Sequence, residues 1–225
     1  LNIVYSDATK GWLPVSDDAV ASAGIAPPTQ KAIFAFGTTG GSSRINTSNL
    51  VSSSGVVASN TSGVGTARTN PAGVSYGLDK GIFAFGQDSS GKTNVKNLVN
   101  NSGVIASDAT GVGTARQATR GAAYGGDKAV FAFGTDSSAD VAISNKVSNS
   151  GVVATDTSAV SGTSARNNPG AVGYGGDKGI FAFGGGPLMN TRNLVSNQGV
   201  VAADATGAGS NRSSPSGASY GSDKA

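Results

Sequence analysis

The sequence predicts an all-β fold built from tandem repeats, and two observations carry this prediction. The pattern apolar-Phe-Ala-Phe-Gly occurs four times and contains all eight phenylalanines of the chain. The first phenylalanines of the four copies are 49, 48 and 50 residues apart, at Phe34, Phe83, Phe131 and Phe181. Between the copies, short runs of β-branched residues alternate with glycine-rich breaks, which is typical of many short strands joined by tight turns.

Two further short sequence patterns, which we call columns of the repeat, recur at the same spacing as this motif. One is Thr-Ala-Arg or a close variant, and the other is Tyr-Gly-x-Asp-Lys or a close variant. The arginines are Arg68, Arg116, Arg166 and Arg212, and the tyrosines are Tyr76, Tyr124, Tyr174 and Tyr220. Because the residue types are repeated at fixed spacing, we expect them to have the same structural role in every repeat.

Each repeat divides into four predicted strands, a to d. In the second full copy these are residues 121–124, 128–134, 142–148 and 151–156. The two phenylalanines of strand b are two residues apart, so we expect both to point to one face of the sheet. Gly-Gly-Asp-Lys between a and b, and Asn-Ser-Gly between c and d, are typical of tight turns.

Four antiparallel strands at a period of about 50 residues are typical of a β-propeller blade. We therefore predict four blades over residues 23–225, with repeats at about 31–79, 80–127, 128–177 and 178–225. The segment GASYGSDKA provides a fifth strand a without a strand b, and we expect it to complete the first blade and close the ring. A larger propeller, for a chain that continues with more repeats, and a β-solenoid are the alternatives.

Composition argues against most catalytic chemistry. The chain has no histidine and no cysteine, and its 13 acidic residues are all aspartates. General acid/base catalysis at neutral pH and thiolate metal sites therefore lack their usual residues, and we predict a non-enzymatic protein without a cofactor. The net charge of +3 is spread over the repeats, which does not indicate a nucleic-acid surface. No apolar run is long enough to insert in a membrane.

The connections of the repeat differ in how much they vary. The a–b and c–d turns are nearly constant, whereas the b–c and d–a connections, which should lie at one edge of each sheet, vary from copy to copy. Variation over a constant scaffold is typical of a recognition surface, although unconstrained loops would vary as well. The candidate binding residues of these loops are Arg44, Asp88, Lys92, Arg120, Asp136, Asp140, Asn168 and Met189. Asp136 and Asp140 could also suggest calcium, but a plain polar loop is the favoured interpretation and no metal is predicted.

The order of arginine, glycine-rich strand and apolar strand ending in glycine resembles the kelch repeat, over nearly all of residues 31–225. The resemblance implies a kelch-like β-propeller. The sequence departs from the kelch pattern in having a single glycine after the apolar strand, as at Gly37, Gly86 and Gly134, and in having no tryptophan within the repeats.

Residues 1–22 form a leader that contains SDATKGW and the chain's single tryptophan, Trp12. Leader and repeats together resemble structural and tail-fibre proteins of tailed bacteriophages. The resemblance implies a homo-oligomeric protein of the virion surface that binds other virion proteins through Trp12 and a host-surface glycan or protein through the variable loops. An extracellular protein that forms fibres or a surface layer, and a glycan-binding or glycan-degrading propeller that would use Asp88 or Asp136, are the alternatives.

Overall fold

The computed structural model describes residues 2–8, 11–16, 31–40, 43–221 and 224. Within these ranges the chain is all-β: it forms small antiparallel sheets and contains no helix. The all-β prediction is therefore confirmed. A helix of the length and apolar character of a membrane span is absent from the described residues.

The strands fall into a leader pair and four units that follow one another along the chain. The leader has β1 (Asn2–Asp7) and β2 (Gly11–Ser16), and unit 1 has β3 (Ala32–Thr39) and β4 (Ser43–Val51). Unit 2 has β5 (Ala72–Tyr76), β6 (Lys80–Ala84), β7 (Gln87–Asp88), β8 (Gly91–Lys92) and β9 (Lys96–Val99). Unit 3 has β10 (Arg120–Tyr124), β11 (Lys128–Ala132) and β12 (Ser144–Val147), and unit 4 has β13 (Gly170–Tyr174), β14 (Lys178–Gly184) and β15 (Met189–Val195).

Each full unit is an antiparallel meander in the predicted order a–b–c–d. In unit 3, β10 pairs with β11 and β11 pairs with β12, which are the predicted strands a, b and c. Strand d is reduced to two isolated bridges, Val147 with Val153 and Ser144 with Thr157. The predicted four-strand order therefore holds, with a fourth strand too irregular to form a continuous ladder.

Apolar side chains join each unit to the next. Between units 2 and 3 they form a buried cluster in which Tyr76, Ile82 and Phe85 of unit 2 enclose Phe131 of unit 3. A second buried apolar cluster lies between units 3 and 4, and it includes Phe133 of unit 3 and Phe181 of unit 4. The units thus stack in chain order and share their cores pairwise, as expected for repeats that cannot bury their apolar faces alone.

The two phenylalanines of strand b do not share a face, so that prediction was wrong. Phe131 contacts Phe85 of unit 2, with ring centroids 5.5 Å apart, whereas Phe133 contacts Phe181 of unit 4, with centroids 5.4 Å apart. The reason is the backbone of Phe133, whose φ of 64° lies in the left-handed region. One left-handed residue interrupts the alternation of the strand, so the second ring turns to the next unit. Sequence spacing alone does not reveal this change of conformation.

Closure of four blades into a ring stays a prediction. β3 is hydrogen-bonded to β4, and no described pairing joins it to residues 217–221. Gly217 instead lies beside Ala171 and Val172 of β13, where it extends the stack beyond unit 4.

The leader forms an antiparallel pair in which Tyr5 is opposite Trp12. The boundary predicted between leader and repeats, near residue 22, lies outside the described residues.

The position of each first phenylalanine in the stack makes a prediction about stability. Phe131 is fully buried, whereas Phe34, at the same motif position in unit 1, is 63% exposed. We expect Phe131→Ala to lower the free energy of unfolding by about 3–5 kcal/mol, the usual cost of truncating a buried phenylalanine. Phe34→Ala is the matched control and should cost less than about 1 kcal/mol in dilute solution. Urea unfolding of both variants measures this difference, and equal losses would contradict the stacking order.

Candidate functional site

The repeated arginine occupies a buried joint between two units. The guanidinium carbon of Arg116 lies 4.0 Å from the ring centroid of Phe85, the second phenylalanine of unit 2. Its Nη2 donates a hydrogen bond of 2.6 Å to Asn145 Oδ1 of unit 3. Its side chain has no exposed surface, and Nη1 lies 3.8 Å from the carboxylate of Asp156. We call this group of phenylalanine, arginine, asparagine and aspartate an arginine joint.

The acceptors of the joint are themselves held by hydrogen bonds. Asn145 Nδ2 donates to the backbone oxygen of Ala154 and to Asp156 Oδ1, at 3.0 and 2.9 Å. Asp156 Oδ2 accepts from the backbone N–H and the hydroxyl of Thr114, at 2.9 and 2.7 Å. Because Thr114 and Arg116 follow unit 2 whereas Asn145 and Asp156 belong to unit 3, the contacts of Thr114 with Asp156 and of Arg116 with Asn145 and Asp156 tie one unit to the next.

The same joint occurs at each internal boundary of the stack. Arg68 lies on Phe36 at 3.9 Å and Arg166 lies on Phe133 at 3.9 Å, and both have no exposed side-chain surface. The asparagines and aspartates of these two joints are Asn97, Asp108, Asn193 and Asp204. Arg212 lies 3.7 Å from the ring of Phe183 but is exposed, because no further unit covers it among the described residues.

Burial and the neighbouring charge shift the pKa values of the joint residues in opposite directions. Burial lowers the pKa of Arg116 to about 10, against the attraction of Asp156, so the guanidinium is still charged at neutral pH. Partial burial alone would raise the pKa of Asp156. The hydrogen bonds from Thr114 and Asn145 and the nearby Arg116 outweigh it and hold that pKa below its ordinary value. The joint is therefore an ion pair at neutral pH.

The variable b–c and d–a connections lie together at one edge of the stack. Residues that follow each arginine form bridges to residues that follow each Phe-Gly: Thr69 with Gln87, Gln117 with Thr135, and Asn167 with Gly185. Hydrogen bonds then link neighbouring units along the edge. Arg44 Nε donates to the backbone oxygen of Gln87 at 3.1 Å, and Lys92 Nζ donates to that of Asp136. We call this continuous row of loops the loop edge.

Three further predicted binding residues lie in the same row, and their side chains form hydrogen bonds within it. Asp140 accepts from the hydroxyl of Thr135 at 2.7 Å and from the amide of Asn167 at 3.0 Å. Arg120 Nη2 donates to Asn168 Oδ1 at 3.0 Å. The structure therefore brings Asp140, Arg120 and Asn168 together across the boundary between units 3 and 4.

Three other candidates have local structural roles. Asp88 Oδ1 accepts the backbone N–H groups of Ser90 and Gly91, and Asp136 Oδ1 accepts those of Ser138 and Ala139. These are turn-forming contacts, and they lower the pKa of Asp136. Met189 begins β15, and its sulfur lies 3.9 Å from Nη1 of Arg166, so it packs against a joint.

The described residues contain no group of three or more aspartates that could hold a metal ion. Asp136 and Asp140, the pair considered for calcium, are bonded to backbone and side-chain donors of the protein. The cavity of about 720 Å³ beside Phe183 is lined by apolar side chains, glycine and arginine, with no carboxylate. These residues offer no arrangement for carboxylate catalysis in that cavity.

The buried asparagines of the joints were absent from the predicted site residues. Asn97, Asn145 and Asn193 are fully buried, and each orients an arginine. Their signal was present in the sequence, because each stands two residues before the valine of strand c, at the same position of the repeat. An asparagine that recurs at a fixed position of an apolar strand indicates a buried hydrogen-bond partner.

Comparison with protein-family models and with curated proteins finds no match. The resemblances to kelch repeats and to phage tail-fibre proteins therefore stay predictions.

The aspartates of the joints make the stability of the chain depend on pH. The pKa values of Asp108, Asp156 and Asp204 are lowered in the folded state. These carboxylates therefore contribute fully to the free energy of unfolding at any pH above their pKa in the unfolded chain, about 3.9. The contribution is lost as the pH falls through their pKa in the folded protein. We expect the free energy of unfolding to fall steeply below about pH 4 and to do so at high salt as well, where exposed ion pairs are screened.

The variant Asp156→Asn tests whether the aspartates of the joints cause this pH dependence. The variant should be less stable at neutral pH and should show a shallower dependence of the unfolding free energy on pH below about pH 4, because one linked carboxylate is gone. Urea unfolding at a series of pH values measures the slope, and an unchanged slope would contradict the assignment.

Proposed function

We propose that this chain is a non-enzymatic structural protein of the virion tail-fibre or decoration type, which presents the loop edge to a polysaccharide on the host surface. The observation that carries the proposal is that constant and variable residues of each repeat lie in different places. Buried arginine joints fix the units to one another, whereas the residues that vary between repeats are collected at one edge. Rigid scaffolds with variable loops are the usual form of recognition surfaces.

The chemistry of the loop edge favours a polar, hydrogen-bonding ligand. Arg44, Lys92 and Arg120 alternate there with Asp88, Asp136 and Asp140, so donors and acceptors are mixed and the six charges balance. Sugar hydroxyls bind to such sets of donors and acceptors. The edge lacks the aromatic side chains that stack on sugars, since the described phenylalanines lie in the joints between units or at the ends of the stack. We therefore propose contact through many hydrogen bonds along an extended chain of sugars.

The assignment to a virion rests on the resemblance of the leader and the repeats to phage structural proteins, and it places the protein on a particle surface. The kelch-like propeller blade belongs to the same proposal. It is supported by the meander order a–b–c–d within each unit and by the face-to-face packing of successive units. On this proposal Trp12, which is opposite Tyr5 in the leader hairpin, docks the chain to another virion protein.

Binding to an array of purified bacterial surface polysaccharides tests the proposal. We expect at least one class to bind, and we expect the triple variant Arg44→Ser, Lys92→Ser, Arg120→Ser to lose that binding. The matched control is Lys80→Ser, Lys128→Ser, Lys178→Ser, which removes the same charge from the a–b turns at the opposite edge. Binding that is absent from the whole array, or that is lost equally in both variants, would contradict a glycan-binding loop edge.

The same array separates binding from hydrolysis. We expect no release of reducing ends from any polysaccharide that binds, either by the wild type or by Asp88→Asn and Asp136→Asn, since both carboxylates accept backbone N–H groups in turns. Release of reducing ends that either variant abolishes would instead identify a glycan-degrading protein.

A further inference from the structure

The two ends of the stack present the two halves of an interface that the interior already contains. At the first end, unit 1 exposes the side chains that units 3 and 4 bury against their predecessors. Phe34 is 63% exposed and Val57 is 56% exposed, whereas the matching residues of unit 3, Phe131 and Val153, are 0% and 4% exposed. We call the surface formed by Ala32, Phe34, Val51 and Val57 the leading face.

At the other end, unit 4 has the receiving half of the same interface. A cavity of about 720 Å³ lies there, lined by Tyr174, Ile180, Ala182 and Phe183 among others. Their counterparts in unit 2 are Tyr76, Ile82, Ala84 and Phe85, which enclose Phe131 in the interior of the stack. We call this surface the trailing face. Its cavity lies where a further strand b would place its first phenylalanine.

The strand edges at the two ends are complementary as well. Residues 217–220 belong to a fifth strand a, beside β13; Tyr220 pairs with Lys224, and no described residue pairs with residues 217–219 as strand b. At the other end, β3 is a strand b that pairs with β4 and has no strand a among the described residues. Among the described residues, each end therefore leaves backbone hydrogen-bonding groups open on the edge where the other end could supply a partner.

We propose that the trailing face of one chain binds the leading face of a second copy, head to tail. Phe34 of one copy enters the cavity beside Phe183 of its neighbour, and residues 217–219 of the neighbour pair with β3. The contact repeats the packing of Phe131 against Phe85, so it joins two copies by an interface that the chain already forms between its own units. Because each copy keeps one free face of each kind, the association continues into longer rows.

The polar residues at the two ends complete an arginine joint in part. Arg212 lies on the ring of Phe183 and is exposed, as the arginine half of a joint. At the leading face, Asn49 Nδ2 donates to the backbone oxygen of Ala58 and to Asn60 Oδ1, at 3.0 and 2.8 Å. This is the arrangement of Asn145, whose Oδ1 accepts the hydrogen bond from Arg116. Asn60 stands where the internal joints have aspartate, so the joint between copies has no carboxylate.

Sedimentation velocity and light scattering over a concentration series test the proposal on the 225-residue chain. We expect the mean mass to rise with concentration through dimers to longer oligomers. Phe34→Asp and Ile180→Asp, which place a carboxylate in the leading and the trailing face, should each abolish this rise. Val152→Asp, on an exposed side chain of an internal unit, is the matched control and should leave it unchanged.

Mixing the two blocked variants tests directly whether a trailing face binds a leading face. Phe34→Asp keeps an intact trailing face and Ile180→Asp keeps an intact leading face, so the mixture should form a one-to-one dimer and nothing larger. If Ile180→Asp does not fold, Arg212→Asp serves as the variant of the trailing face, since that side chain is exposed. A wild-type chain that stays monomeric, including one whose ends close on each other within the same ring, overturns the proposal, as does a mixture that stays monomeric.

A gain of association provides an independent test. Asn60→Asp supplies the carboxylate that the internal joints have, so its midpoint of association should shift to lower protein concentration than that of the wild type. An unchanged or higher midpoint would overturn the role of Arg212 in the contact. The inference does not require the loop edge to bind a ligand, and the triple variant of the loop edge should associate normally.

Discussion

The stack depends on a phenylalanine held in the left-handed region under a buried guanidinium. Phe36, Phe85, Phe133 and Phe183 all have φ between 63° and 66°, a conformation that costs a non-glycine residue about 1–2 kcal/mol. The left-handed turn directs each ring to the following unit. An edge-to-face aromatic pair, about 0.5–1.5 kcal/mol, and a desolvated cation–π contact, about 2 kcal/mol, together offset the cost.

This arrangement makes the repeats interdependent. The arginine after one unit lies on that unit's phenylalanine, yet its hydrogen bond goes to an asparagine of the next unit, so neither unit alone completes the joint. Removing one partner of such a buried pair leaves a charge without compensation, which is strongly destabilising. The loop edge lies outside the joints, so its residues can change at little cost to the stack. The separation of a fixed interior from a variable edge follows from where the joints lie.

The sequence predicted the strand order and the repeating columns because both depend on local periodicity. The meander of unit 3 and the recurring arginine were visible as patterns of fixed spacing. The direction of Phe133 was not, because it depends on one backbone angle that arginine and the neighbouring unit stabilise from outside the strand. Asp88 and Asp136 resembled candidate binding residues, and only their hydrogen bonds to backbone N–H groups reveal their role in turns. Met189 begins β15 instead of lying in a loop, and its contact with Arg166 comes from a distant part of the sequence.

A double-mutant cycle between Phe85 and Arg116 measures whether the contact between the ring and the guanidinium stabilises the stack. Phe85→Leu and Arg116→Met keep most of the side-chain volume while they remove the ring and the charge, and urea unfolding gives the free energy of each variant and of the double variant. We expect a coupling energy of about 1–2 kcal/mol, because the cation–π contact exists only when both residues are present. Losses that add to within about 0.3–0.5 kcal/mol would contradict it and would mean that the two residues stabilise the stack independently.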